Sequence, residues 1–466
     1  MITKTDFMLY MDAPRHLWAY KNGKIQKKEI DVYMQHILDQ GYEVEELAQK
    51  YLLDISKKYG NKILLQEKCT DENFEARIDA LMYDSDTCKW DMYEIKSTSK
   101  VEKRHKQDAT FQYLVFKKKY DIGKIYIVHL NKEYVREGEL DIHRLFQSTD
   151  ITEDVRKMEE DIHMLRYEAL DVLKVEDPET LNECIKPKDC PCIDICHPNL
   201  PEYSIFDINF LTGNERSIRK LLSMGIRDIY NIPSSFPLSE KQRYQVDIAQ
   251  SGKRAVDIEY IKRDLNGLIY PLYFVDYETF NNAIPLFNGY KPFDHIPFQW
   301  SLHVQDCKGG GLEHVEFLEE ERIDPIPHFL AKLRENIGST GSILVWNKGF
   351  EGTINKRMGE IYPGFNDFCL DMNRRIYDLM DIFKDMYFAD PSTKGSYSIK
   401  KVLPVLVPDL SYKGMNISEG ATAMTSWYEM VYKDKEEHIK EDLLKYCELD
   451  TYTMVRIFKE LEGMIG

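Results

Sequence analysis

The chain has 466 residues, 43% of them hydrophobic and 12% aromatic, which is too long for one ordinary domain and apolar enough to build two or three. Its net charge of −17 argues against a general polyanion binder, because phosphate contacts need local positive surface. No apolar run is long enough to span a membrane and the start, Met1-Ile-Thr-Lys-Thr-Asp-Phe7, lacks a signal-peptide pattern, so the sequence predicts a cytoplasmic protein whose nine cysteines are thiols or metal ligands.

In chain order, residues 1–200 read as an α/β unit. Lys62–Gln66, Phe74–Tyr83 and Trp90–Ser97 alternate like successive strands, with a turn at Asp84–Lys89. A helix from about Lys106 to Tyr120 follows, then a strand at Lys124–Leu130. A basic run, Lys96, Lys100, Lys103, Arg104 and Lys106, with Lys117-Lys-Lys119 beyond it, offsets the acidic total locally. Residues 180–200 are rich in Cys and Pro and read as a knotted loop. Residues 201–267 read as a polar helical connector, with a small helix–turn–helix packing unit at Leu221–Ile229. From 268 to 466 the order is strand (272–280), strand (296–306), strand (312–319), helix (325–337), strand (342–347) and helix, then a mostly helical stretch and a final long helix around 437–462. The expected fold class is therefore α/β, with a mixed sheet in the C-terminal domain.

A few acids stand in patterned positions. The apolar strand ending Val275-Asp-Tyr-Glu278 puts Asp276 and Glu278 on one face, because side chains i and i+2 of a strand project together. Tyr446 and Asp450, i and i+4 on a helix, share a face as well. Adjacent buried anions need cations, so a metal held between the two elements would satisfy all three carboxylates. Between them, Leu344–Glu351 reads as a strand running into a turn and a helix with an acid at its start. This set resembles the DnaQ-like, DEDD-type 3′→5′ exonucleases of the RNase H-like superfamily. The resemblance implies that Asp276, Glu278 and Asp450 bind two Mg²⁺ or Mn²⁺ ions and that Tyr446 orients the attacking water. The third acid of that family is Asp, whereas the matching position here is Glu351, with Asp378 as a spare.

In the N-terminal unit, Asp79 on one strand and Glu94-Ile-Lys96 on the next resemble the PD-(D/E)XK nucleases. That likeness implies one or two metal ions on Asp79 and Glu94, with Lys96 positioning water. The context is similar to the RecB-like branch, including the CRISPR-adaptation nucleases, whose next helix carries Gln-x-x-x-Tyr. Gln112 matches, while the tyrosine position is Phe116 or shifts to Tyr113. An upstream helical acid or His completes that family's site, and the resemblance offers Glu45 and Glu46, with Glu46 the candidate.

Cys184-x5-Cys190-Pro-Cys192-x3-Cys196-His197 is hard to explain by packing. In the RecB-like branch three such cysteines join an N-terminal one around an iron–sulfur cluster, but the N-terminal motif reads Ala13-Pro14-Arg15 here. Cys192 can take the fourth place, and four thiolates complete either an iron–sulfur cluster or a zinc site. Further likeness at Ile296–His303, Ser398–Pro404 and Tyr446–Thr451 extends to a bacterial family joining the two nuclease-like domains. The resemblance implies a metal-dependent nuclease acting on DNA or RNA. The alternative is a nucleic-acid-binding or scaffold protein with partly decayed sites, favoured by Glu351 and by the missing cysteine.

Overall fold

The computed structural model describes residues 1–25, 30–433 and 438–466. The chain is mixed α/β and divides into two compact units, Met1–Asn199 with Asn282–Asp294, and Leu200–Asn281 with His295–Gly466. The stretch read as a connector thus belongs with the C-terminal unit, and a short excursion after residue 281 belongs with the N-terminal one. No helix among the described residues is long and apolar enough to cross a membrane.

The first unit runs β1 (Ile2–Thr3), α1 (Lys4–Asp12), α2 (Pro14–Lys21), α3 (Val32–Tyr59), β2 (Ile63–Asp71), β3 (Phe74–Asp84), β4 (Lys89–Lys96), α4 (Lys103–Phe116), β5 (Ile122–Leu130), α5 (Ile142–Leu145), β6 (Phe146–Asp150), α6 (Thr152–Val172) and α7 (Ile193–Cys196). Its sheet has the order β1-β3-β4-β5-β6, with β2 also on β3. The β3–β4 and β5–β6 pairs are antiparallel, while β1 joins β3 and β5 joins β4 in parallel. The α4 helix begins earlier and ends earlier than its sequence suggests. Its residues from Asp108 to Phe116 are all buried, so it lies in the core with Phe7, Phe74 and Ile127. Ala283 and Ile284 of the excursion complete a second apolar cluster with Val44, Leu52 and Val128.

The second unit continues with α8 (Glu215–Ser223), α9 (Glu240–Ser251), β7 (Ala255–Val256), α10 (Ile258–Leu265), β8 (Leu272–Asn281), β9 (His295–Gln305), β10 (Leu312–Leu318), α11 (Ile326–Asn336), β11 (Ser342–Val345), α12 (Lys348–Ile361), α13 (Asn366–Arg375), β12 (Ile376–Asp378), α14 (Asp381–Lys384), β13 (Phe388–Ala389), α15 (Ile399–Leu406), α16 (Gly420–Tyr432) and α17 (His438–Ile465). Residue 437, where the sequence places the start of the last helix, lies outside the described residues. The sheet order is β10-β9-β8-β11-β12, so the acid-bearing strand β8 is central. Its neighbour β9 is antiparallel and β11 is parallel. Gly341, at φ +99°, leads into β11 where a Cβ would stand 2.2 Å from the Pro271 carbonyl oxygen, so glycine fixes how closely the two strands approach. The α17 helix is amphipathic: Leu443, Tyr446, Cys447, Asp450, Thr451, Met454 and Phe458 form one buried face. That face packs on β8 and β9, with Gln299 Nε2 donating to the Leu443 carbonyl at 2.8 Å.

Candidate functional sites

The C-terminal site starts from β8. Asp276 pairs with Ser301 and Glu278 with Gln299 in the β9 register, and a bulge follows Glu278. One carboxylate oxygen from each of Asp276, Glu278 and Asp450 lies within 4.8 Å of the others, so the strand and α17 bring together the three acids the sequence singles out. Glu351, in the first turn of α12, is buried and its charge also bears on Asp276. Its Oε2 is buried with no hydrogen-bond partner. Asp378 is differently employed: its two oxygens accept from the backbone N–H of Lys348 (3.0 Å) and of Met380 (3.2 Å), closing the turn after β12.

This grouping is short of positive charge. Burial, then Asp450, Glu278 and Glu351, push Asp276 well above the usual carboxylate range. Burial followed by Asp450 raises Glu278 to about 8, and burial foremost raises Glu351 to about 8. Asp450 reaches about 6, burial being opposed by Tyr412 and Lys400. The donor set is hard oxygen, two of the acids project from one strand, and one buried oxygen is orphaned; these residues fit divalent cations of the Mg²⁺ class.

Two side chains around the acids, Tyr412 and Lys400, are not singled out by the sequence. Tyr412 O–H donates to Asp450 Oδ1 at 2.5 Å, and its ring lies 6.4 Å from that of Tyr446. Lys400 Nζ bonds the Ser418 carbonyl and reaches the Tyr446 hydroxyl at 3.4 Å. Burial raises the Tyr446 phenol far above its ordinary range, and the charge of Asp450 adds to this, so it stays protonated.

In the N-terminal unit the β3–β4 ladder carries the pair Ala80–Tyr93, one step from Asp79 and Glu94. There the Ile95 N–H donates to Asp79 Oδ2 at 2.7 Å. Lys96 Nζ bonds Glu94 Oε1 at 2.8 Å and Asp108 Oδ2 at 2.5 Å, while Gln112 Nε2 donates to Asp108 Oδ1 at 3.0 Å. Asp108 and Gln112, i and i+4 on α4, therefore present one face to the lysine. Glu94, Lys96, Asp108 and Gln112 thus form one bonded chain, and Asp79 lies close enough to feel the charges of Glu94 and Lys96. Glu46 does not join them: it points to solvent and pairs with Lys50 at 2.8 Å, one helical turn along α3. Its neighbour Glu45 reaches the cluster instead, because Gln66 Nε2 donates both to Glu45 Oε1 (2.9 Å) and to Asp79 Oδ1 (3.1 Å). Tyr113 faces away, under the Arg156 guanidinium 4.2 Å from its ring centre.

A second cation distinguishes this site. Lys4 Nζ bonds Glu94 Oε1 at 2.9 Å, brought there by the parallel pairing of β1 with β3. Burial pushes the Glu94 carboxyl up, but Lys96 and Lys4 overcome it and hold the group at about 2. Asp79, lacking a direct lysine, is raised to about 7 by burial and then by Glu94. Glu94 Oε2 is buried and has no hydrogen-bond partner. Much of the basic run is locally paired: Arg104 with Asp12, Lys106 with Asp154 and Lys100 with Glu102.

The cysteine loop gains a member that the sequence reading missed. His16, Cys190, Cys192 and Cys196 place ligand atoms within 4.8 Å of one another, a cluster able to hold a metal ion. His16 Nε2 stands 3.3 Å from Cys190 Sγ. Cys184 flanks the group, its Sγ 3.4 Å from His197 Nε2. His16 is the residue directly after the Ala13-Pro14-Arg15 stretch, which itself offers no cysteine. Arg15 secures it: the guanidinium donates to the carbonyls of Glu179, Leu181, Ile195 and Cys196, tying α2 to the loop.

Residues 273–398 match the family described as Domain of unknown function (DUF2779), a span that includes Asp276, Glu278 and Glu351 but not Tyr446 or Asp450. The chain is similar to Uncharacterized protein UU173 of Ureaplasma parvum, at 26% identity over 56% of this chain and 41% of that protein. It is also similar to Uncharacterized protein MG366 of Mycoplasma genitalium, at 26% identity over 41% of this chain and 32% of that protein. The chain thus spans less than half the length of these relatives. No solved structure matches it.

Proposed function

We propose that the chain is a metal-dependent nuclease that hydrolyses phosphodiester bonds of DNA or RNA, with a DEDD-type site on β8 and α17 and a PD-(D/E)XK-type site on β3 and β4. The observation that carries the reading is the convergence of Asp276, Glu278 and Asp450 within 4.8 Å, with Glu351 beside them and their carboxyls raised for want of cations. Mg²⁺ or Mn²⁺ bound there supplies charge for the entering and leaving oxygens of the reaction and lowers the pKa of attacking water. Asp276, Glu278 and Asp450 would hold the ions, and the longer Glu351 side chain offers its free Oε2. The Tyr412 hydroxyl fixes the orientation of Asp450, as an outer-shell donor does for a ligating carboxylate. Tyr446, protonated and next to Asp450, orients a water by hydrogen bonding rather than by taking its proton. Lys400 adds positive charge on the side of Tyr446, suited to a phosphate oxygen.

In the N-terminal site Asp79 and the free Oε2 of Glu94 are the ligands, and Lys96 sits where developing charge would be stabilised. The Lys4–Glu94 bond favours a second reading for this site alone, in which it grips nucleic acid without cutting it. For the cysteine loop the donor set of three thiols and one imidazole fits Zn²⁺ or an iron–sulfur cluster, in a structural role.

Cleavage of single- and double-stranded DNA and RNA by wild type, Asp276→Ala and Glu94→Ala, with Mg²⁺ or Mn²⁺ and with EDTA, tests both sites. Each variant is expected to lose a different activity. Unchanged cleavage by Glu94→Ala would favour the grip-only reading, and absence of metal-dependent cleavage by wild type on every substrate sinks the proposal.

A further inference from the structure

A third cluster lies on the second unit, apart from the acids of β8. His303 on β9 and His314 on β10 are direct cross-strand partners, their rings stacked with centres 4.4 Å apart. Glu448, on α17, brings its Oε1 to 3.8 Å from His314 Nδ1. One ligand atom from each of the three residues lies within 4.8 Å of the others. His303 is buried, whereas the His314 and Glu448 side chains are 24% and 49% exposed, so an ion could reach them from solvent.

One assignment of protons satisfies every hydrogen bond around the two rings. The Thr451 hydroxyl donates along its own helix to the Glu448 carbonyl at 3.0 Å. Its oxygen is then the acceptor for His303 Nδ1 at 2.9 Å and for the Ser301 hydroxyl at 2.7 Å. The Ser301 oxygen in turn accepts from His314 Nε2 at 2.9 Å. With each proton so assigned, the ring nitrogens outside these bonds, His303 Nε2 and His314 Nδ1, are the ones open to an ion. The second of these is the one nearest Glu448. A ligating histidine whose other nitrogen donates to a fixed oxygen has this arrangement.

We propose that His303, His314 and Glu448 form a Zn²⁺ site, with Ser301 and Thr451 as its outer shell and a water in the remaining position. Two imidazoles and one carboxylate are a zinc donor set, and ligand atoms about 2.0–2.1 Å from a tetrahedral ion stand roughly 3.3 Å apart. A small rotation of the exposed Glu448 side chain would close its present 3.8 Å to that value. The ion would fasten the β9–β10 hairpin to α17 between Tyr446 and Asp450, independently of any ion on Asp276.

The test uses the full chain and two readouts that need no activity. Bound zinc is counted after equilibrium dialysis for wild type, His314→Ala and Glu448→Gln, so that ions held by the cysteine loop and by Asp276 are common to all three. Each variant is expected to bind one ion fewer than wild type, and Thr451→Val to weaken that ion by about 10–100-fold. Equal stoichiometry in all three proteins overturns the proposal. Should the variants fail to fold, wild type alone decides: saturating Zn²⁺ is expected to protect His314 from diethyl pyrocarbonate while leaving the exposed His143 reactive. Unchanged modification of His314 overturns the proposal.

Discussion

Four raised carboxyls around Asp276 make the protein sensitive to pH in a definite direction. Glu278 and Glu351 move from an ordinary 4.5 to about 8, so between those values the folded chain keeps protons that the unfolded chain has released. Stability of the metal-free protein therefore falls as pH rises from about 4.5 to about 8, and is not regained above that. Thermal melts in EDTA across this window are expected to show the fall, and saturating Mg²⁺ or Mn²⁺ to flatten it. Glu351→Gln removes one of the charges and should raise the metal-free melting temperature at pH 8 by about 2–4 °C, while reducing divalent-dependent cleavage. Tyr412→Phe leaves the ring but not the hydroxyl that orients Asp450, and calorimetry should show metal affinity lowered by about 10–100-fold. Asp276, Glu278, Tyr446 and Asp450 are legible in the sequence because strand and helix periods put them on shared faces. Tyr412 and Lys400 are not, since they reach the acids from segments whose local pattern says nothing about that face. Glu45 and Glu46 show the limit of motif reading. One step along a helix is about 100°, enough to send Glu46 to Lys50 in solvent while Glu45 meets Gln66.

At the scale of elements, two contacts hold the sites in place. Arg15 spans four backbone carbonyls and pairs with Glu183 at 3.4 Å, nearly excluded from solvent. Arg15→Ala strands those carbonyls and is expected to cost about 3 kcal/mol, measured by urea denaturation, and to loosen any ion held by His16. In the other unit, Trp427 on α16 lies flat against Phe280 and Phe298, with ring centres 4.5 Å away in both cases. Its Nε1 donates to the Glu319 carbonyl at 2.7 Å. Trp427→Ala is expected to cost about 3–5 kcal/mol and to release the end of β8 that carries Glu278. The strands β8 to β11 lie within a few residues of their expected bounds, because β8 and β9 are near-continuous apolar runs buried along almost their whole length. His16 and Lys4 were hidden for the opposite reason. Each enters its site through a pairing far along the chain, with the Cys190 loop in one case and with the β3–β4 hairpin in the other.

For the whole molecule, the contrast is in how each unit balances its acids. The N-terminal cluster carries its own cations, Lys4 and Lys96, so its fold does not depend on a bound metal. The C-terminal cluster gathers three carboxylates and Glu351 with Lys400 set off toward Tyr446, so its stability would respond to any ion bound there. The residues named for the two clusters do not overlap, which is why Asp276→Ala and Glu94→Ala can separate them.

Cys447 turns that coupling into something that can be timed. Its thiol has no exposure to solvent and rests against the Asp276 carbonyl at 3.9 Å. A thiol reagent reaches it when α17 lifts away from β8, whereas Cys88 and Cys307 are exposed and label at once. The labelling rate of Cys447 relative to theirs reads the free energy of that opening directly. Divalent cations that clasp Asp276 to Asp450 across the same seam should slow the clock in step with their occupancy.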